Sequence, residues 1–236
     1  MFVTGRFSLA ALYYAGVAAY GNDFATDLGK LNEEYVLEQL DQLSGVGAAV
    51  SGEIEYEKST FSTDGFVVLP DQVLLVEVKS RRPALDKRLD AVSYTNLLGK
   101  DVRHAQDQLR TTYDLWRCGH PAFAHLPTDA RPVRGLIVVP EPLYLANHTM
   151  FGQALRQMPF PTAVISFTEL EQLVAAAVAE RSARVFVDLT TELSFLSADE
   201  SAALSAARAR TGTHAPRNAL LDASFEAMRW TAADTT

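Results

Sequence analysis

The stretch that most constrains this chain is Phe61 to Ser80, F-S-T-D-G-F-V-V-L-P-D-Q-V-L-L-V-E-V-K-S. From Phe66 to Val78 the only interruptions of an apolar run are Pro70-Asp71-Gln72 and Glu77. Two β-rich runs separated by Pro-Asp predict an antiparallel hairpin, Thr63 to Leu69 and Val73 to Lys79. Its turn is Leu69-Pro70-Asp71-Gln72, with proline at the second position, where its fixed φ fits. Strands apolar on both faces belong to a sheet covered on both sides. Counting outward from the turn pairs Val68 with Val73 and places Asp64 opposite Glu77. Paired side chains share a face with Cβ atoms about 5 Å apart. Lys79, two residues beyond Glu77, points to that face roughly 7 Å along.

Two carboxylates and one ammonium therefore converge at the open end of a hairpin that is otherwise apolar. Charges there are costly without partners. Facing carboxylates repel unless one is protonated or a cation bridges them. A hard divalent cation such as Mg2+ suits such oxygens. A lysine beside it can orient a water and offset phosphate charge. The competing reading is an ion-pair cluster at a strand end.

Around the hairpin, Gly21-Asn22-Asp23 breaks a first apolar stretch. A helix is expected from about Thr26 to Leu43, with Val36, Leu37 and Leu40 on its apolar stripe, ended by Gly45-Val46-Gly47. The alternation around Glu53 to Glu57 reads as the first strand. Residues Arg81 to Gly99 read as irregular or short helix. A long helix follows over about Lys100 to Arg117, with Val102, Ala105, Leu109, Tyr113 and Trp116 on one face. Gly135 to Val139 and Thr162 to Phe167 read as strands, the latter leading into an apolar helix to about Ala179. Val185 to Asp188 reads as a last strand, and helices are expected near Ala198 to Ala209 and from about Pro216 to Trp230. The crossover helix makes the fourth strand parallel to the third.

At 236 residues the chain suits one domain with a small addition, and 48% of it is hydrophobic. Its net charge of -8 is not that of a dedicated nucleic-acid binder. An acidic protein can still hold a polyanion if its basic groups are gathered on one face. Arg81, Arg82, Lys87 and Arg88 follow the hairpin closely, and Lys100 and Arg103 lie on the next helix. The lone Cys118 excludes a disulfide framework or a Cys-rich zinc site and fits a cytoplasmic setting. The five histidines lack metal-ligand spacing, and no Gly-rich phosphate loop or nucleophile elbow is present. The apolar run Phe7 to Tyr20 is too short to span a bilayer, so a packed helix is expected rather than a leader or a membrane segment.

Asp64, followed after twelve residues by Glu77-Val78-Lys79 and set between two helices, resembles the PD-(D/E)xK nuclease superfamily. The resemblance covers about residues 26–140, with Thr63 standing where the family places proline. It implies an α/β, restriction-endonuclease-like α-β-β-β-α-β core with a mixed central sheet flanked by helices. Residues 1–25 would be an N-terminal helical segment, and residues 141–236 a C-terminal α/β extension of the same domain. The extension is compatible with a fold addition, a homodimer surface or a substrate clamp.

The resemblance further implies Mg2+-dependent hydrolysis of DNA, with Mn2+ able to substitute and RNA less favoured. The metal would be held by Asp64, Glu77, the Val78 carbonyl and a glutamate of the first helix, with Lys79 assisting catalysis. Glu33 is preferred to Glu34, since it lies on the apolar stripe and within Gly29-x-x-x-Glu33-x-Tyr35-Val36. The second helix would add Gln108 or Gln106. The basic run would bind the phosphate backbone. A nuclease-fold module that binds DNA or protein without catalysis is the alternative, and an unrelated metal-dependent hydrolase a third.

Overall fold

The computed structural model describes residues 9–80, 91–140, 158–195 and 217–227. In chain order the elements are α1 (Leu9–Asp41), β1 (Ala49–Gly52), β2 (Glu55–Glu57), β3 (Thr60–Phe61), β4 (Gly65–Val68) and β5 (Val73–Val78). They continue with α2 (Ala91–Arg117), β6 (Val133–Val139), β7 (Thr162–Ser166), α3 (Phe167–Ala179), α4 (Ala183–Phe195) and α5 (Ala219–Ala227).

The hairpin forms with the register the turn dictates. Val68 pairs with Val73 and Gly65 with Val76, while the Leu69 N–H donates to the Gln72 carbonyl at 2.9 Å. Every residue of β5 is buried. The hairpin is the middle of a five-stranded sheet of order β1-β4-β5-β6-β7. β1 and β4 pair antiparallel, as do β4 and β5, whereas β5–β6 and β6–β7 are parallel, so the sheet is mixed. The parallel step from β5 to β6 is bridged by α2, as a crossover requires.

Both faces are covered, which is why the hairpin is apolar throughout. On one face Val67, Leu74, Val76, Leu136 and Val138 pack with Val36 and Leu40 of α1, and with Leu170, Leu173 and Phe186 of α3 and α4. On the other, Phe66, Leu75 and Ile137 pack with Val102, Ala105, Leu109 and Trp116 of α2. Among the described residues, no helix is long and apolar enough to cross a membrane.

Several elements differ from expectation. The sheet's first strand is Ala49–Gly52, whereas Glu55–Glu57 pairs with Thr60–Phe61 in a separate two-stranded hairpin. Glu55 and Glu57 are exposed around a half-buried Tyr56, too polar a strand to lie beside buried β4. Val185 to Asp188 is not a strand but part of α4. Its buried residues Ala183, Phe186, Val187 and Thr190 recur at helical spacing. α2 begins at Ala91, so the second half of the segment read as irregular or short helix belongs to the long helix expected from about Lys100. α1 begins at Leu9 and, as expected of Gly21-Asn22-Asp23, is broken at Gly21, whose φ of 69° and ψ of -146° are not helical. After the bend Phe24 lies against Gly16, in the space a Cβ would fill. The helix expected near Ala198 to Ala209 lies outside the described residues.

Where β6 meets β7, backbone and side chain are in close contact. A Cβ on Gly135 would lie 2.6 Å from Thr162 Oγ1 and 3.0 Å from Phe160 Cε2. Thr162 is β-branched and held in a strand, so it cannot swing aside. Gly135→Ala should therefore destabilise the protein by about 1–3 kcal/mol in chemical denaturation. An unchanged midpoint and slope would show that the junction relaxes freely.

Candidate active site

The charged end of the hairpin is built by the two strand registers that meet at β4. Carried one residue past β4, the β4–β5 register puts Asp64 beside Glu77, and the β1–β4 register puts Glu53 beside Asp64. A row Glu53–Asp64–Glu77 thus crosses the end of the sheet. Asp64 lies just outside the strand, and its Oδ2 accepts the Val78 N–H at 2.6 Å. Glu77 is 1% exposed and faces α2. Lys79 Nζ donates to Glu77 Oε1 and to Gln108 Oε1, each at 2.6 Å. Of the two glutamines left open, Gln108 is thus at the site. Positions 106 and 108 are about 200° apart around a helix, so they do not share a direction. Thr63 Oγ1 lies 3.1 Å from Glu77 Oε2 and 2.5 Å from the Val76 carbonyl oxygen.

Glu33 arrives from α1, on the opposite face of the sheet from α2. The contact that brings it there is Leu37 over Gly65, where a Cβ on the glycine would lie 2.9 Å from Leu37 Cδ2. Glu33 is one helical turn before Leu37, which carries it to the sheet end beside Asp64. It is half-buried, whereas Glu34 is exposed.

The electrostatics follow from burial. Burial pushes the Asp64 carboxyl above its ordinary range, opposed by the Val78 N–H and by Lys79. Glu77 is pushed up to about 8, first by burial and then by the charge of Asp64, with Lys79 and Thr63 working against both. Glu33 is pushed up to about 7 by burial, by Asp64 and by Glu53, with Lys79 and Lys30 opposing. The carboxylates of Glu33, Asp64 and Glu77 thus share the ammonium of Lys79.

Among the described residues, no group of three or more His, Cys, Asp or Glu stands close enough to hold a metal ion. A three-carboxylate cage is not what Mg2+ needs, since it is commonly held by one or two carboxylates with water completing its octahedron. Asp64 and Glu77 provide hard oxygens of that kind at one place, so the donor set fits. Glu53 was missed by sequence reasoning because the strand before it was placed four residues too late. Thr63, which stands where the resembling motif has proline, was not among the expected site residues. Of the expected phosphate-binding residues, Lys100 is exposed and Arg103 half-buried on α2. Arg81, Arg82, Lys87 and Arg88 lie outside the described residues.

No family model matches the chain, and no curated protein matches it. Among solved structures it is similar to the small subunit of the heterodimeric restriction endonuclease R.BspD6I, with a TM-score of 0.39 and 13% identity. The match covers 79% of this chain and 96% of that one.

The raised carboxyls make stability depend on pH. A carboxyl that holds its proton more tightly folded than unfolded favours the fold at low pH, and that contribution is lost as pH rises through its folded value. For Glu33 and Glu77 those values are about 7 and about 8. In EDTA the melting temperature should therefore fall from about pH 5 to about pH 9. Glu77→Gln should flatten the fall and melt higher than wild type at the alkaline end. A wild-type profile that rises over this window would contradict the assignment.

Proposed function

We propose that this chain is a metal-dependent nuclease that hydrolyses DNA phosphodiester bonds. The observation that carries the reading is the convergence of Asp64, Glu77, Lys79 and Gln108 at the end of a buried sheet, with more carboxylate than the local ammonium can neutralise. Asp64 and Glu77, with the Val78 carbonyl, would hold Mg2+, or Mn2+ in its place. Glu33 adds a further carboxylate from the other face. When bound, the metal ion supplies Lewis-acid charge to the scissile phosphate.

The remaining work falls to the chain's own groups. An ammonium has three N–H donors, and two of those on Lys79 point to Glu77 and Gln108. Held on both sides, Lys79 directs its third donor at the attacking water or at a phosphate oxygen as charge develops there. Gln108 accepts from the other side of the ammonium that Glu77 pairs with, and the Val78 N–H fixes the Asp64 carboxylate. Arg81, Arg82, Lys87, Arg88, Lys100 and Arg103 would bind flanking phosphates. A non-catalytic binding module is the second reading. It is favoured by the direct Lys79–Glu77 ion pair, which gives Glu77 a cation without any metal.

Cleavage of plasmid DNA separates the two readings. Mg2+ should support cleavage and EDTA should stop it. Asp64→Asn and Glu77→Gln should each lose about a thousandfold, the several kcal/mol a metal's charge supplies. Lys79→Ala should lose about 100- to 1,000-fold, as for one oriented donor. Undiminished cleavage in excess EDTA, or by purified Glu77→Gln, would sink the metal-dependent reading of this site, and no cleavage under any of these conditions would leave the binding module.

Binding of uncut DNA in Ca2+ tests the phosphate-binding residues. The affinity of wild type should fall steeply with salt, and Arg81→Ala/Arg82→Ala should reduce the slope by about one unit for each phosphate no longer bound. An unchanged slope would place the DNA path elsewhere.

A further inference from the structure

The threonine at the head of the hairpin has more partners than a space-filling residue needs. Thr63 is 0% exposed and Thr112, on α2, is 1% exposed. The Thr63 N–H donates to Thr112 Oγ1 at 2.8 Å. Its hydroxyl reaches both the Val76 carbonyl oxygen and Glu77 Oε2. Both oxygens of Glu77 therefore have a partner, Oε1 in Lys79 and Oε2 in the Thr63 hydroxyl, whose single proton is shared with the nearer Val76 carbonyl oxygen, and this restricts the plane of the carboxylate. Each of these supports is itself supported from α2, Lys79 by Gln108 and Thr63 by Thr112. Gln108 and Thr112 are four residues apart and lie on one side of that helix.

We propose that Thr63 is a positioning residue, which with Thr112 sets the orientation in which the Glu77 carboxylate meets a divalent cation. The proposal rests on the metal-dependent reading above. It gives a physical meaning to the departure from the resembling motif. A proline at position 63 has neither an N–H for Thr112 nor a hydroxyl for Glu77, so the residue that the motif places there would break both bonds in this chain.

The test is calorimetric titration of the full, DNA-free chain with Mn2+. Thr63→Val keeps the β-branched shape and the N–H and removes only the hydroxyl. It should weaken Mn2+ binding about 10- to 100-fold, the usual effect of losing a group that orients a ligand. Its melting in EDTA should change little. Thr63→Ser should restore the affinity, and Thr63→Pro should not. A merely structural threonine would not give a loss of metal affinity that serine rescues. Wild-type affinity in Thr63→Val would overturn the proposal and leave the nuclease reading standing. Failure of wild type to bind Mn2+ would overturn both. If Thr63→Val does not fold, Thr112→Val decides, since it removes only the acceptor of the Thr63 N–H. About tenfold weaker binding supports the proposal, and unchanged binding overturns it.

Discussion

Strand β4 is only four residues long, yet its hydrogen bonds to β1 and β5 set the position of every acidic group in the sheet's charged row. Side chains alternate with a period of two, so a slip of one residue on either side would send Asp64 or Glu77 to the wrong face. Two features prevent the slip. The Leu69–Gln72 turn closes with the Leu69 N–H on the Gln72 carbonyl and fixes one end. At the other end a slip would part Asp64 from the Val78 N–H and Glu77 from Lys79, leaving buried charges without their partners.

That rigidity holds carboxylates where they are electrostatically unwelcome. Burial alone raises Asp64, Glu77 and Glu33, and their mutual repulsion raises the two glutamates further. Lys79 offsets only part of this, because its one positive charge faces all three. A fold selected for stability alone would place apolar residues at such a strand end, and local rules are commonly broken where a site is built. The supporting bonds carry the same message. Thr63 and the Val78 N–H donate to these groups, and Thr112 and Gln108 accept from their immediate supports.

The hairpin and its register were legible in the sequence because they depend on local rules: a Pro-Asp turn, alternation, and apolar runs of matched length. That Glu33 rather than Glu34 lies on the buried side of α1 was legible for a similar reason, since helical spacing from Val36 and Leu40 fixes which side each occupies. What brings Glu33 to Asp64 was not legible, because the approach of Leu37 to Gly65 is a tertiary contact made possible by a missing Cβ. β1 was overlooked because Ala49-Val50-Ser51-Gly52 carries little strand propensity, and with it went the placement of Glu53. The segment Val185 to Asp188 shows the opposite failure, because a short apolar run suits strand and buried helix alike until burial decides.

The acidity of the chain and the chemistry proposed for it are compatible only if charge is judged locally. A net charge of -8 spread over the surface weakly repels a polyanion, and at physiological salt that repulsion is screened within about 8 Å. A phosphate brought to the sheet end meets Glu33, Asp64 and Glu77 at much shorter range, where screening is slight. Once the pH passes the raised values of Glu33 and Glu77, about 7 and about 8, those carboxylates are ionised with only Lys79 beside them, and the site itself opposes the substrate more than the rest of the protein does. One divalent cation changes the sum of these groups from two negative charges to none, and it does so where the phosphate must sit. On the proposed reading the cation is therefore a condition of substrate binding as well as of chemistry, because the basic residues beyond the hairpin can draw in a backbone only after the charge at its end has been neutralised.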